Sequence, residues 1–226
     1  MKKSNIYLSV VGIVIITGMF ITNSILKNEY QKIDITDVYK NYISVETASY
    51  SVLHISGSNG YPIEIVHKRT DDIKVLRSRL NHFKKSLRND TLFVEFTGSN
   101  IPMQQRYNTD TPAGIIIHKN VLETIISNNT HNRMSGFSNQ NLNVTLLGNS
   151  LLEMNNSNLK TMRIDMRNKS QIAFSDENNI DSLNLKMMNT SVASLQKIDF
   201  RTIHHTLSDS ITLVLSNNVF KNILKK

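Results

Sequence analysis

Five polar side chains in the C-terminal half of the sequence have the types and spacing of a binding surface. Arg163 and Asp165 alternate with apolar residues, as do Asn184 and Lys186 about twenty residues later, and His204 follows after about twenty more. Alternation at every second residue places side chains on one face of a β-strand. These guanidinium, ammonium, imidazole and amide groups can hydrogen-bond to a polar or anionic ligand. We therefore predict an exposed binding face that contains Arg163, Asp165, Asn184, Lys186 and His204.

The same face lacks the paired carboxylates of enzymes that cleave polysaccharides. General acid–base catalysis needs ionisable groups a few ångströms apart, whereas the two carboxylates on this face, Glu123 and Asp165, lie in different repeats. Asp165 lies between Arg163 and Lys186, so we expect it to form a surface ion pair rather than to act as a base. The sequence therefore predicts no catalytic residue and no enzymatic activity. A carbohydrate-active β-helix enzyme is the alternative that the residues favour least.

Composition excludes several other classes of site. The chain has no Cys, so it can form neither a thiolate metal site nor a disulfide, and no Cys nucleophile is available. Adjacent residues in a strand point to opposite faces, so His204 and His205 do not predict a shared metal ion. The net charge is +8, but its Lys and Arg residues are mostly scattered and do not form a basic stripe interleaved with aromatic residues. We predict no metal, no cofactor and no nucleic-acid partner.

The predicted binding face belongs to a repeat of twenty or twenty-one residues. An alternating apolar triplet occurs four times, the last time less purely. A unit this short cannot bury its own apolar face and must stack on copies of itself. The repeat predicts a parallel β-helix, or β-solenoid, with about 20 residues per coil, and Leu122 and Ile126 predict a degenerate first coil. The triplets are Leu142, Val144, Leu146; Met162, Ile164, Met166; Leu183, Leu185, Met187; and Ile203, His205, Leu207.

Two polar columns follow the triplets. Thr130, Ser150, Ser170 and Ser191 share the parity of the apolar residues, so we predict inward hydroxyls that hydrogen-bond along the stack. The second column lies at the corner between each triplet and the following hydroxyl residue, and its residue types tolerate a left-handed backbone conformation. We interpret both columns as structural ladders rather than as a binding site. The corner residues are Asn128, Asn168, Asn189 and Asp209.

A second outward face of the repeat is partly apolar. It includes Leu151, Val192 and Val214, alternating with buried positions. A partner could cover such a face. We therefore predict that Leu151, Val192 and Val214 could mediate self-association, so that a homo-oligomer is compatible with the sequence.

The N-terminus predicts a membrane segment. Residues 6–26 are predominantly apolar and long enough to cross the hydrocarbon core, and Lys2 and Lys3 precede them. The run lacks a clear small-residue cleavage pattern, so a retained anchor is favoured over a cleaved signal peptide. We predict a cytoplasmic stub (1–5), a signal-anchor helix (6–26) that contacts the membrane, a linker (27–45) and an exported domain (46–226). The expected location is a single-pass inner-membrane or envelope-associated protein, with the domain in the periplasm or at the cell surface.

The exported domain divides into two parts. Residues 46–117 predict irregular strands that lead into the repeats, and residues 118–226 predict the regular coils. One stretch has helical spacing, because Leu76, Leu80, Phe83 and Leu87 are separated by four, three and four residues. We predict a short amphipathic helix over residues 76–87, with a basic outer face that is solvated; the alternative is that this face lies on a membrane or contacts phosphate groups.

Three segments and the corners of the repeat have a characteristic sequence. The segments are Asn89-Asp90-Thr91-Leu92-Phe93-Val94, Gly114-Ile115-Ile116-Ile117 and Val121-Leu122-Glu123-Thr124-Ile125. The corners are Gly148-Asn149-Ser150, Asn168-Lys169-Ser170 and Asn189-Thr190-Ser191. Together these motifs resemble the auto-transporter adhesin head domain, also called the GIN domain, whose usual corners are Gly-Ser-Gly. The likeness covers roughly residues 50–226.

This resemblance implies a fold and a location but no catalytic residues. The family is associated with right-handed β-helical folds and with exported envelope proteins of Bacteroidetes-type bacteria. The fold expected for this chain is therefore an all-β, right-handed parallel β-helix preceded by a transmembrane helix. The function expected is a non-catalytic binding or adhesion-like module that contacts an envelope protein or glycan. The alternative is a self-associating structural scaffold of the envelope.

Overall fold

The computed structural model describes residues 3–31, 37–57, 60–97, 111–138, 140–175 and 178–216. The chain forms two compact units, Met1–Asn41 and Tyr42–Lys226. The first contains α1 (Lys3–Gln31). The second, called the β unit below, contains all the strands of the described residues. Its first strand begins at Tyr42, within the predicted linker.

Helix α1 is long and apolar enough to cross a membrane. Its segment Ser9–Gln31 has a mean hydropathy of 2.0 and is 0% buried, although a signal sequence near an N-terminus would meet the same criteria. The hydroxyls of Thr17, Thr22 and Ser24 donate to carbonyl oxygens four residues earlier, at 2.8–2.9 Å. These bonds satisfy polar groups that would otherwise be costly in an apolar environment.

The β unit consists of short strands and one 3-10 helix, Arg77–His82. The strands are β1 (Tyr42–Val45), β2 (Val52–Ser56), β3 (Ile63–His67), β4 (Asp72–Leu76), β5 (Phe83–Arg88), β6 (Thr91–Phe96), β7 (Ile115–Lys119), β8 (Thr124–Asn128), β9 (His131–Ser135), β10 (Asn141–Leu147), β11 (Leu151–Asn155), β12 (Asn158–Met166), β13 (Gln171–Phe174), β14 (Asn178–Met187), β15 (Val192–Leu195), β16 (Ile198–Leu207) and β17 (Thr212–Leu215).

These strands form two sheets around one hydrophobic core. The nine-stranded sheet has the order β1-β4-β7-β3-β9-β11-β13-β15-β17, and the eight-stranded sheet has the order β16-β14-β12-β10-β8-β2-β6-β5. Burial alternates along most strands, as in β10, where Leu142, Val144 and Leu146 are buried. Buried residues of both sheets join in one cluster. Because every second side chain enters this core, the intervening ones form the outer faces of the sheets.

The predicted right-handed parallel β-helix is wrong as the fold of this chain. Both sheets are mixed, because β1 pairs antiparallel with β4, β4 with β7, and β5 with β6. Strand order also departs from chain order, since β2 lies between β8 and β6, and β3 lies between β9 and β7. The turn at Asn89 and Asp90 gives one physical reason, because a two-residue connection can join only antiparallel strands.

The pairing of equivalent repeat positions is nevertheless confirmed for the C-terminal strands. Leu142 pairs with Met162, Met162 with Leu183, and Leu183 with Ile203, all in parallel. The degenerate first repeat is displaced by one residue from its predicted position, because Val144 pairs with Ile125. Ile125 is therefore buried, whereas the predicted core residue Ile126 is only half-buried.

The predicted helix over residues 76–87 is also wrong. Leu76 ends β4, the 3-10 helix follows, and β5 begins at Phe83. Across the β5–β6 hairpin, Phe83 pairs with Phe96 and Leu87 pairs with Leu92. Spacings of four and three residues fit one helix face, but the tight turn after β5 brings a strand partner within reach. Hydrogen bonding to that partner overrides the local helical pattern.

The two polar columns behave differently from each other. Thr130, Ser150, Ser170 and Ser191 are all buried, as predicted. The hydroxyls of Ser150 and Ser191 donate to carbonyls three residues earlier in their own repeat. A hydrogen bond along the stack is present at Ser150, whose Oγ accepts from Thr130 N at 3.4 Å. The corner column includes a hydrogen bond from Asn189 Nδ2 to Asn168 Oδ1 of 3.1 Å, and both residues have positive φ. The predicted left-handed tolerance is confirmed at these two corners.

Candidate functional site

The five residues predicted to bind a ligand lie together on the outer face of the eight-stranded sheet. Arg163 on β12 pairs with Asn184 on β14, which pairs with His204 on β16; in the next outward column, Asp165 pairs with Lys186. Neighbouring strands are about 4.8 Å apart, so the five side chains form a compact group. They line a shallow concavity of about 430 Å³ that also reaches His205, which belongs to the inward column opposite Leu185 but is exposed on the terminal strand β16. We call this group the polar face.

Asp165 forms an ion pair with a residue that the sequence analysis did not identify. Arg167 donates from Nε to Asp165 Oδ1 at 2.9 Å and from Nη2 to Oδ2 at 2.7 Å. The expected partners were Arg163 and Lys186. The hydrogen bonds from Arg167 are the main reason that the pKa of Asp165 lies below its usual value; partial burial opposes them, and the charges of Arg167 and Lys186 reinforce them. Asp165 therefore stays ionised, which makes it a poor general base near neutral pH.

The ion pair leaves the polar face with excess positive charge. Arg167 neutralises Asp165, whereas Arg163 and Lys186 are exposed and form no ion pair within the described residues. The imidazole of His204 is also exposed. Exposed Arg and Lys side chains favour carboxylate, sulfate or phosphate groups on a ligand.

A second concavity extends the polar face along the sheet. It has a volume of about 440 Å³ and shares Asn143 and Arg163 with the first. Glu123 and Gln140 line its other side, and Asn143 Nδ2 donates to the Glu123 carbonyl oxygen at 3.3 Å. Together the two concavities cross β10, β12, β14 and β16, so a ligand could run across several strands.

Comparisons with known proteins show similarity of fold alone. A crystal structure described as a putative adhesin from Parabacteroides distasonis has a TM-score of 0.53 at 10% sequence identity, over 77% of this chain and 73% of that chain. A putative adhesin from Bacteroides fragilis has a TM-score of 0.48 at 11% identity, over 78% and 94%. A protein described as a putative lipid binding protein from Parabacteroides distasonis has a TM-score of 0.43 at 7% identity, over 77% and 93%.

No protein-family model matches the chain, and no curated protein matches it. Over 77% of its length, the chain shares its fold with a solved structure described as a putative adhesin. At this level of identity, the similarity does not transfer residue roles.

The residues predicted to self-associate do not form one apolar stripe. Leu151, Val192 and Val214 lie on the outer face of the nine-stranded sheet, and Val214 is exposed. Gln171 lies between Leu151 and Val192 in one column. Val214 belongs to the next column, where it pairs with Ser194. Polar residues thus interrupt the apolar surface.

The same outer face carries a charge network that the sequence analysis missed. His131 Nε2 lies 3.0 Å from Glu153 Oε2, and Arg133 Nε donates to the same oxygen at 3.3 Å. Arg133 also approaches Glu64 at 3.8 Å. The hydrogen bond from His131 is the main cause that lowers the pKa of Glu153; burial opposes it and Arg133 reinforces it. The sequence did contain a signal for the contact between Arg133 and Glu153, because the two residues are twenty positions apart, which is the length of one repeat.

A further pair lies on the outer side of β4 and β7. His118 is buried, and its Nδ1 lies 2.9 Å from Asp72 Oδ1, while Lys74 Nζ lies 3.4 Å from Asp72 Oδ2. Partial burial raises the pKa of Asp72, but the interactions with His118 and Lys74 outweigh it and lower the pKa overall. Among the described residues, no group of three or more His, Cys, Asp or Glu side chains is placed to hold a metal ion.

Proposed function

We propose that the protein is a membrane-anchored, non-catalytic binding module of the cell envelope, and that its polar face binds anionic groups of an envelope glycan or protein. The observation that carries this proposal is the convergence of Arg163, Asn184, Lys186 and His204 on one concavity with excess positive charge. In this proposal α1 is a retained anchor, and the β unit is exported to the periplasm or cell surface as an adhesion-like member of the GIN domain family.

Charge and shape support binding rather than catalysis. The concavity crosses several strands, which gives an extended polymer room to bind. Its carboxylate, Asp165, is held by Arg167. Acid–base cleavage of a glycosidic bond would need a second carboxylate nearby, and Glu123 lies on the far side of the adjoining concavity.

The test uses a soluble chain that begins at Lys32. The hydrophobic core lies within the β unit, and α1 is exposed, so this chain retains the whole core. Binding to acidic and neutral envelope polysaccharides and to envelope proteins would be measured by calorimetry. The double variant Arg163→Gln/Lys186→Gln should bind an anionic ligand at least about tenfold more weakly, because each lost charge-assisted hydrogen bond costs about 1.5–3 kcal/mol.

A matched control removes two exposed cations that do not line the polar face, in Lys197→Gln/Arg201→Gln. The control should bind like the wild type. If both variants lost the same affinity, the loss would be explained by the change in net charge, which would contradict the proposal. Turnover of any polysaccharide by the wild-type chain would contradict the non-catalytic assignment.

A further inference from the structure

A group of basic side chains lies at one end of the β unit. The strands β1 and β5 are terminal in the nine-stranded and eight-stranded sheets, and the 3-10 helix contacts both. Residues 77–88, which form that helix and β5, contain five Arg or Lys residues and no Asp or Glu. We call the exposed members of this segment, Arg77, Lys84, Lys85 and Arg88, the basic end.

Most of the charge at the basic end is not neutralised by the protein. Within the described residues, Arg77, Lys84 and Arg88 form no ion pair. Arg88 lies over the Phe93 ring at 5.8 Å, and Lys85 Nζ donates to the carbonyl oxygen of Glu46. Neither contact cancels a charge. Glu95 lies opposite Lys84 in the β5–β6 hairpin and Asp90 lies in its turn, but the four exposed cations outnumber these two carboxylates and leave a local positive potential.

Arg79, the fifth cation of residues 77–88, does not belong to the basic end because its side chain is half-buried. Its Nη2 donates to the Tyr61 hydroxyl at 3.0 Å, and its guanidinium lies 4.6 Å from the centre of the Tyr61 ring. Arg79 is half-buried and is committed to packing within the β unit. The basic end is thus limited to the side chains that point to solvent.

The chain enters the β unit at the basic end. Helix α1 ends at Gln31 and β1 begins at Tyr42, so the connection can reach at most about 40 Å at ~3.6 Å per residue. A membrane that α1 crosses is therefore within reach of the basic end.

We propose that the basic end binds the headgroups of anionic lipids in that membrane. The identity of this membrane rests on the proposed anchoring by α1, whereas the attraction between the four cations and anionic lipid does not require α1. Each Lys or Arg near an anionic bilayer contributes about 1 kcal/mol, which corresponds to about fivefold in the partition coefficient. The polar face lies on β12, β14 and β16, at the opposite end of the eight-stranded sheet from β5, so contact at the basic end would not use it.

The first experiment measures co-sedimentation of the soluble chain beginning at Lys32 with two kinds of vesicle. One contains phosphatidylcholine alone, and the other contains phosphatidylcholine mixed with phosphatidylglycerol. We expect binding only to the anionic vesicles, with loss of binding near 1 M salt, where the Debye length is about 3 Å. A Lys84→Gln/Lys85→Gln/Arg88→Gln variant should bind about a hundredfold more weakly.

The matched control removes three cations near the other end of the β unit, in Lys160→Gln/Lys197→Gln/Arg201→Gln. These side chains are exposed, so both variants are expected to fold, which thermal unfolding would verify. The control should keep most of the vesicle binding. Equal loss in both triple variants would overturn the proposal in favour of a general effect of net charge.

The second experiment uses the full chain in nanodiscs of the same two lipid compositions. Hydrogen exchange of β5 and of the 3-10 helix should be slower in the anionic nanodiscs, because tethering raises the local concentration of the basic end. Equal exchange in the two nanodiscs would overturn the proposal. The lysines would then serve only to protect the edge strand β5 from pairing with other chains.

These outcomes are distinguishable from those that test the polar face. Vesicle binding by the soluble chain does not require α1, and it should be unchanged in the Arg163→Gln/Lys186→Gln variant. Loss of vesicle binding in that variant would show that the polar face, rather than the basic end, contacts the lipid, and would also contradict the proposal.

Discussion

Ser150 and Ser170 occupy equivalent positions in consecutive repeats but differ in hydrogen bonding. Both side chains are 0% exposed. Ser150 Oγ donates to the Leu147 carbonyl oxygen at 2.6 Å, and Thr130 N donates to Ser150 Oγ at 3.4 Å. Ser170 Oγ has no hydrogen-bond partner within the described residues. A buried hydroxyl without a partner costs about 1–3 kcal/mol, so equivalent positions make different contributions to stability.

Replacing Ser150 with Ala should lower the free energy of unfolding by about 1 kcal/mol, because a buried hydrogen bond is lost. Ser170→Ala should lower it by less than about 0.5 kcal/mol, or raise it, because no such bond is lost. Ser191→Ala should resemble Ser150→Ala, since Ser191 donates to the Met188 carbonyl oxygen in the same way. Urea unfolding of the three variants measures these differences. Equal destabilisation at positions 150 and 170 would contradict the assignment.

Sequence alone predicted the members of the polar face but not all of their partners. Alternation within a strand is a local property, so Arg163 and Lys186 could be assigned to one face before the structure was known. Arg167 lies just beyond the end of β12 at Met166, where strand alternation no longer predicts direction. Its ion pair with Asp165 depends on that local backbone. The network of Arg133 and Glu153 was open to prediction, because their spacing equals the repeat.

The β5–β6 hairpin is the element that most clearly departs from stacked parallel strands. Its turn residue Asn89 has a φ of +52°, a conformation that Asn tolerates better than most residues. The next residue, Asp90, joins the turn to β2: Ser51 N donates to Asp90 Oδ1 at 2.9 Å, and Val52 N donates to the Asp90 carbonyl oxygen at 3.1 Å. The Ser51 hydroxyl also donates to Asp90 Oδ2. One aspartate thus fixes the start of β2 against the hairpin.

Asp90→Ala should lower the free energy of unfolding by about 1–2 kcal/mol, because two charge-assisted hydrogen bonds at an exposed site are lost. Asp90→Asn should lower the free energy of unfolding by less than Asp90→Ala does, because the amide oxygen can still accept one hydrogen bond from Ser51. Asp199→Ala removes an exposed carboxylate from β16 and should change the value by less than about 0.5 kcal/mol. Chemical denaturation of the three variants provides the comparison. A loss at Asp199 as large as that at Asp90 would rule out a specific role for the turn.

Element positions could be predicted where the repeat was regular and not where long-range pairing decided them. The triplets of β10, β12, β14 and β16 share one period, so their register followed from residue types alone. The placement of β2 and β3 inside the two sheets depends on pairing with β8 and β9, which are far away in sequence. No local pattern encodes that choice. The prediction of a helix over residues 76–87 was wrong because β5 is formed by pairing with β6, and the apolar spacing fits this strand and the preceding 3-10 helix as well as it fits an α-helix.

At the scale of the whole molecule, the two outer sheet faces have different characters. The outer face of the eight-stranded sheet carries the polar face with its excess of cations. The outer face of the nine-stranded sheet combines the network around Glu153 with the separated apolar residues Leu151, Val192 and Val214. A stable protein–protein interface buries about 1,200–2,000 Å² in total, with an apolar centre. Apolar positions separated by Gln171 and Ser194 do not provide such a centre.

We therefore expect the soluble chain beginning at Lys32 to remain monomeric over a wide concentration range, as measured by sedimentation velocity. This expectation discriminates the binding module from the self-associating scaffold, which would use Leu151, Val192 and Val214. A concentration-dependent dimer or filament would favour the scaffold, provided that the Leu151→Ser/Val192→Ser/Val214→Ser variant restores the monomer. These side chains lie on the outer face, so the substitutions should leave the core intact. Association that persists in this variant would indicate another surface, and the sheet ends at β16 and β17 would be the next to test, because terminal strands present unpaired backbone groups.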